Sequence, residues 1–150
     1  ASAFSMPRAG FTLVELLIVL AIAFALFGVI GTIASNTYPK NQLGSQRDTV
    51  VQTLRQAQAL TISRKFDSRW GVHRTATDLT LFAGDSYATR NTLYDRTHLF
   101  PSGISASGLS DVVFDPLIGT TSQIGTITLT SQATSESKVI TVYASGLVEH

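Results

Sequence analysis

The sequence predicts an α+β protein in which a long N-terminal helix, transmembrane in its first part and amphipathic in its second, packs on a C-terminal antiparallel β-sheet domain. Three observations predict it. Phe11 to Ala34 is a run of 24 residues with one ionisable side chain, Glu15. Leu43, Val50, Leu54, Ala57 and Thr61 then recur at helical spacing. From Arg69 onward the apolar period falls to two, and glycine- and serine-bearing turns divide the chain into short strands.

As a helix rising about 1.5 Å per residue, the apolar run would reach roughly 36 Å, enough for a hydrocarbon core of about 30 Å. Pro39 should kink a continuing helix, and Gly28 and Gly31 should soften it. Past Pro39 the apolar stripe faces one way, interrupted by Arg47. Gln46, Asp48, Thr49, Gln52, Gln56 and Ser63 form the polar face. Such a helix buries its stripe on a globular partner. The expected division is a leader over 1–10, a membrane part over 11–38, an amphipathic part over 39–66 and a β-rich domain over 67–150.

In that last part RWGVHRT and DLTLFAG read as strands joined by a tight turn near Ala76. RTHLF ends at Pro101, and SGISASGLSD reads as a glycine- and serine-rich loop. DVVFD is a short strand. TITLT and KVITVY alternate on either side of the polar turn SQATSES, and Ser145-Gly146 turns the chain into a final LVEH. With no cysteine in 150 residues, neither a disulfide framework nor thiol chemistry is available. Net charge is +1, unevenly spread: nine basic and five acidic residues lie between Lys40 and Arg96, and one basic and four acidic after it. That asymmetry suits subunits meeting head to tail.

The start of the apolar run is specific. Gly10 is followed by Phe11, Thr12, Leu13, Val14 and Glu15, then by uninterrupted aliphatics. A secretory signal peptide fits poorly, because the run exceeds the usual 7–15 residues and Thr32-Ile33-Ala34 is a weak small-x-small site. GFTLVELLIVLAIA instead resembles the type IV prepilin signal. In that family a peptidase cuts after the glycine, the new N-terminal phenylalanine is methylated, and the fifth mature residue is a glutamate. The resemblance puts cleavage at Gly10, N-methylation at Phe11 and the assembly glutamate at Glu15. It makes Met6-Pro-Arg-Ala-Gly10 a short basic leader and implies a pilin-like fold. RQAQALTISR, the Trp70 strand and the VVFDPLIGT…ITLTS…KVITVYASGLV tail are most similar to the H-type (GspH/FimT) minor pseudopilins of type II secretion, which fold two antiparallel sheets against the helix.

Physics gives Glu15 a reason. An acidic side chain at the centre of a membrane helix costs about 2.5–3.5 kcal/mol, less near an interface, and so marks a function. Cleavage after Gly10 would create an ammonium at Phe11, one turn away. In a packed fibre Glu15 could meet the neighbouring subunit's ammonium, and an out-of-register subunit would bury an unpaired charge. The resemblance then implies a processed structural subunit of a type II secretion pseudopilus. Its partners would be other pilin-like subunits, the prepilin peptidase and the inner membrane, with the C-terminal domain periplasmic. Arg8 on one flank and Lys40 and Arg47 on the other leave charge-based topology ambiguous, so orientation follows the processing signal.

No catalytic constellation stands out. His73, His98 and His150 lie on a strand, a strand end and the C-terminus without a carboxylate cluster in sequence, and read as structural. Asp85, Asp111 and Asp115 read as turn aspartates. Major pseudopilins bind calcium near the C-terminus, but VYASGLVEH supplies one carboxylate side chain, so neither metal nor cofactor is expected. The competing class is a DNA-binding pilin. The last 22 residues hold only Lys138 against Glu136 and Glu149, which leaves Arg64, Lys65, Arg69 and Arg74 as the one candidate patch. A membrane-tethered binding domain is the third class.

Overall fold

The computed structural model describes residues 12–150 and, within them, all side chains but those of residues 28–40. Gly10 and Phe11 therefore lie outside the described residues, as do the side-chain causes of the kink expected at Pro39 and the softening at Gly28 and Gly31. The elements are α1 (Leu13–Ile62), a single 3-10 turn (Lys65–Asp67), and strands β1 (Trp70–Arg74), β2 (Asp78–Ala83), β3 (Asn91–Leu99), β4 (Ile104–Gly108), β5 (Asp111–Val113), β6 (Gly125–Ser131), β7 (Ser137–Val142) and β8 (Val148–Glu149).

The expected fold class needs correction. Among the described residues no helix is long and apolar enough to cross a membrane. The chain divides into two units, Ala1–Thr37 and Tyr38–His150, and the boundary falls inside α1.

In the second unit, the helical residues after Tyr38 bury the stripe expected of them. Leu43, Val50, Leu54 and Ala57 are fully inaccessible, and so is Thr61. They share one core with the inner faces of two four-stranded antiparallel sheets, ordered β3-β2-β1-β5 and β4-β6-β7-β8. Trp70, Val72, Leu79, Leu81 and Val112 come from the first sheet, and Ile127, Leu129, Ile140 and Val142 from the second. Strand alternation explains the selection, since residues two apart share a face.

The chain passes between the sheets three times. It builds β1, β2 and β3 in the first, crosses to β4, returns for β5 and crosses again for β6–β8. Arg74 supports the return. Its side chain donates to the carbonyls of Ala106 and Leu109, both at 2.8 Å, and to that of Gly108. β4 corrects the loop expected at SGISASGLSD. Gly and Ser have poor strand propensity, yet Ile104 and Ala106 point into the core, and β4 pairs with β6 along its whole length. β3 also starts earlier than expected and carries a large bulge. Its register jumps from Leu81↔Arg96 to Ala83↔Asn91, so Thr92–Asp95 stand opposite Phe82 alone.

Candidate functional site

The first unit offers an apolar helical surface with one charge. From Leu13 to Phe27 every side chain except that of Ala23 is exposed, Leu13 at 75% and Phe27 at 74%. Such a surface is apolar all round, which soluble helices are not. Thr12 starts the helix. Its hydroxyl accepts from the Glu15 N–H at 3.2 Å, and its carbonyl accepts from the Leu16 N–H at 3.2 Å. Glu15 therefore stands at the third helical position behind a threonine cap, the T-x-x-E order of a capping box, and an acidic residue in the first turn is favoured by the positive end of the helix dipole. Sequence reasoning weighed Glu15 against a neighbour's amine and missed this local role. The spacing Thr12–Glu15 was the available signal.

On the second unit the histidines lie apart. His73, on β1, meets Asp111, on β5, through Nδ1 and Oδ1 at 2.8 Å. Its ring stacks on Tyr87, with centroids 3.7 Å apart, and the Arg90 guanidinium covers the other face of Tyr87 at 3.7 Å. Arg90 in turn donates to Asp95 Oδ2 at 2.8 Å. This stack pins the 84–90 connection across the outer face of the first sheet, over the buried Phe82. His98 bonds Gln46 Oε1 at 2.8 Å, which explains why Gln46, assigned to the polar face of the helix, is buried. Among the described residues no group of three or more His, Cys, Asp and Glu side chains could hold a metal ion.

The four cations of the basic patch separate. Arg74 spends its donors on carbonyls, and burial pulls its guanidinium below the usual value against the opposing pull of Asp111. Arg69 bridges Asp85 at 3.6 Å and Asp115 at 3.3 Å. Arg64 and Lys65 remain exposed at the end of α1.

That end is strained. Arg64, Phe66 and Asp67 all have positive φ, and Phe66 sits at φ 60°, ψ 24°. A bulky side chain in this region costs about 1–2 kcal/mol, which the surroundings must offset. Two contacts do so. The Trp70 N–H donates to Thr61 Oγ1 at 2.9 Å, and the Trp70 indole donates to the Lys65 carbonyl at 3.1 Å. The strain displays the Phe66 ring, 54% exposed, stacked on Tyr94 of the β3 bulge with centroids 4.3 Å apart.

Searches against protein-family models, curated proteins and solved structures find no match to this chain.

Proposed function

We propose that this chain is a non-enzymatic structural subunit of a fibre, resembling the minor pseudopilins of type II secretion. In this reading prepilin peptidase cleaves it after Gly10 and methylates Phe11. Its apolar N-terminal segment holds it at the inner membrane, with the β-bearing unit on the periplasmic side, until it joins related subunits in a short fibre that serves protein export. The observation that carries the reading is GFTLVE, a glycine, an aromatic and a glutamate at fixed offsets ahead of an apolar run. It is supported by the all-round exposure of Leu13–Phe27, a surface that needs lipid or other subunits to cover it. The place of Glu15 in the first turn of the helix adds to this, because cleavage would put a new amine at Phe11, four residues away in sequence.

The DNA-binding alternative has less support, since Arg69 and Arg74 already spend their charge within the protein. Mass spectrometry of the mature N-terminus tests the proposal. A chain beginning at N-methylated Phe11 is expected. A mature protein beginning after Ala34 would overturn the reading.

A further inference from the structure

The first sheet carries two unlike surfaces at its opposite edges. At the β3 edge, Leu60, Lys65, Phe66, Leu93, Tyr94 and Arg96 line a cleft of about 300 Å³ together with Asp95, whose charge is paired with Arg90. Its walls are aromatic and aliphatic, and Leu93 stands 86% exposed on its rim. Lys65 and Arg96 are exposed and take part in no ion pair among the described residues. Both backbones that build the cleft are irregular, the left-handed Phe66 on one side and the Thr92–Asp95 bulge on the other. Irregular backbone that is held in place and aims side chains outward marks contact sites.

Beyond the β5 edge, Asp115–Thr120 forms a protruding tip. Gly119 N–H donates to the Asp115 carbonyl at 2.9 Å, and Asp115 N–H to the Thr120 carbonyl at 2.8 Å, which closes the turn on itself. Leu117 and Ile118 are 76% and 70% exposed at its apex. The tip rests on the helix through Gly119, whose carbonyl accepts from Gln58 Nε2 at 2.8 Å. Gly119 needs its φ of +69°, and a Cβ there would meet Ile62 at 2.7 Å. At the base, Asp115 and Asp85 share the single cation Arg69, leaving one negative charge in surplus.

We infer that the Leu117–Ile118 tip of one copy docks in the Phe66–Tyr94 cleft of the next. The inference rests on the reading of the chain as a fibre subunit. Shape and charge agree: an apolar knob with an acidic base faces an apolar cleft with a cationic rim. Placement agrees as well. With the sheet order β3-β2-β1-β5, cleft and knob lie on opposite edges, three strand spacings or roughly 14 Å apart. Each copy thus offers a different surface on each side. A contact between unlike surfaces is heterologous and repeats without closing, which builds a filament where a self-complementary patch would build a dimer.

The natural absence of cysteine makes the test direct. Full-length Leu93→Cys and Leu117→Cys chains are co-expressed and oxidised in membranes. A mixed disulfide is expected, because such a bond requires Cα atoms within about 7 Å. The double variant should give a ladder of multimers. Phe66→Gly, which keeps the left-handed turn and deletes the ring, should lower the mixed product at least fivefold. Only 93–93 or 117–117 products, or none, would overturn the docking, and so would a Leu93→Cys adduct with a different protein alone. The two readings fail separately. N-methylated Phe11 without the mixed disulfide leaves the fibre subunit standing and removes this contact, whereas an unprocessed or differently cleaved chain removes the fibre reading itself.

Discussion

Helix α1 uses the same aliphatic residues in two opposite ways. Leu17 is 58% exposed, whereas Leu54 is fully buried. Between Leu43 and Thr61 the apolar residues keep to one stripe and find their partner in the two sheets of their own chain. Between Leu13 and Phe27 they occupy every direction, and one chain offers them nothing to pack on. The difference teaches where to look for a partner. A stripe is answered from within the fold, while an apolar circumference asks for an environment or for other copies.

The contrast breaks or sharpens through a graded series. The largest effect is expected for Leu54→Ala, which should cost about 2–5 kcal/mol by leaving a core cavity. Leu17→Ala should leave the same transition within about 0.5 kcal/mol. The single Trp70 is 3% exposed and reports on the β-bearing unit, so urea unfolding followed by tryptophan fluorescence reads both variants. Equal shifts would erase the distinction between the two halves.

A smaller effect belongs to Thr61, which ends the buried stripe. Thr61→Val keeps the shape but leaves the buried Trp70 N–H without its acceptor, a loss of about 1–3 kcal/mol. An unchanged midpoint in the same measurement would show that the strained turn is held by the indole contact with Lys65 alone.

Smaller again, and confined to the other half, is the cap. Thr12→Ala should cost about 0.5–2 kcal/mol locally. It should speed amide exchange at residues 13–16 and leave the Trp70 transition in place. It also separates two roles of Glu15. If the chain is the fibre subunit proposed above, Thr12→Ala should still enter fibres, whereas Glu15→Ala should be membrane-resident, correctly cleaved and poorly incorporated. Equal incorporation of both variants would reduce Glu15 to a helix-start residue.

The least effect is expected at the surface of the second sheet. Tyr143 donates to Glu149 at 2.9 Å, and that hydrogen bond, reinforced by the carboxylate's charge, raises the phenol above its usual value near 10. A raised folded value favours the neutral phenol. Its contribution is complete below the unfolded value and is lost as pH rises through the folded one. Glu149→Ala should move this tyrosinate titration, read by ultraviolet absorbance, back toward 10. A midpoint that stays put would remove the bond from solution.

What could be read in advance follows from how local each signal is. The stripe Leu43–Thr61 was legible because its period is written in one continuous segment. Strands β1, β2, β6 and β7 were legible because each alternates over five or more residues. β4 was not, because its Ser and Gly residues speak for a loop, and only its pairing with β6 makes it a strand. His73 and Asp111 looked unrelated at 38 residues' separation, and only the pairing of β1 with β5 brings them together. The cleft at Phe66 was illegible for a different reason. Nothing in RKFDSRW announces three left-handed residues, since that conformation is imposed by Thr61 and Trp70 rather than chosen by Phe66.

The alternation of the chain between sheets has a consequence for how the protein is made. β5 joins the first sheet only after β4 has been laid down for the second, and β4 gains its only partner when β6 appears. On a chain emerging N-terminus first, neither sheet is complete until most of the sequence is out. The β1–β5 and β4–β6 pairings also close long loops, which slows folding. During that interval the inner faces of β1, β2 and β3 stand uncovered beside an apolar helix. A chain built this way is most vulnerable to aggregation before it is finished.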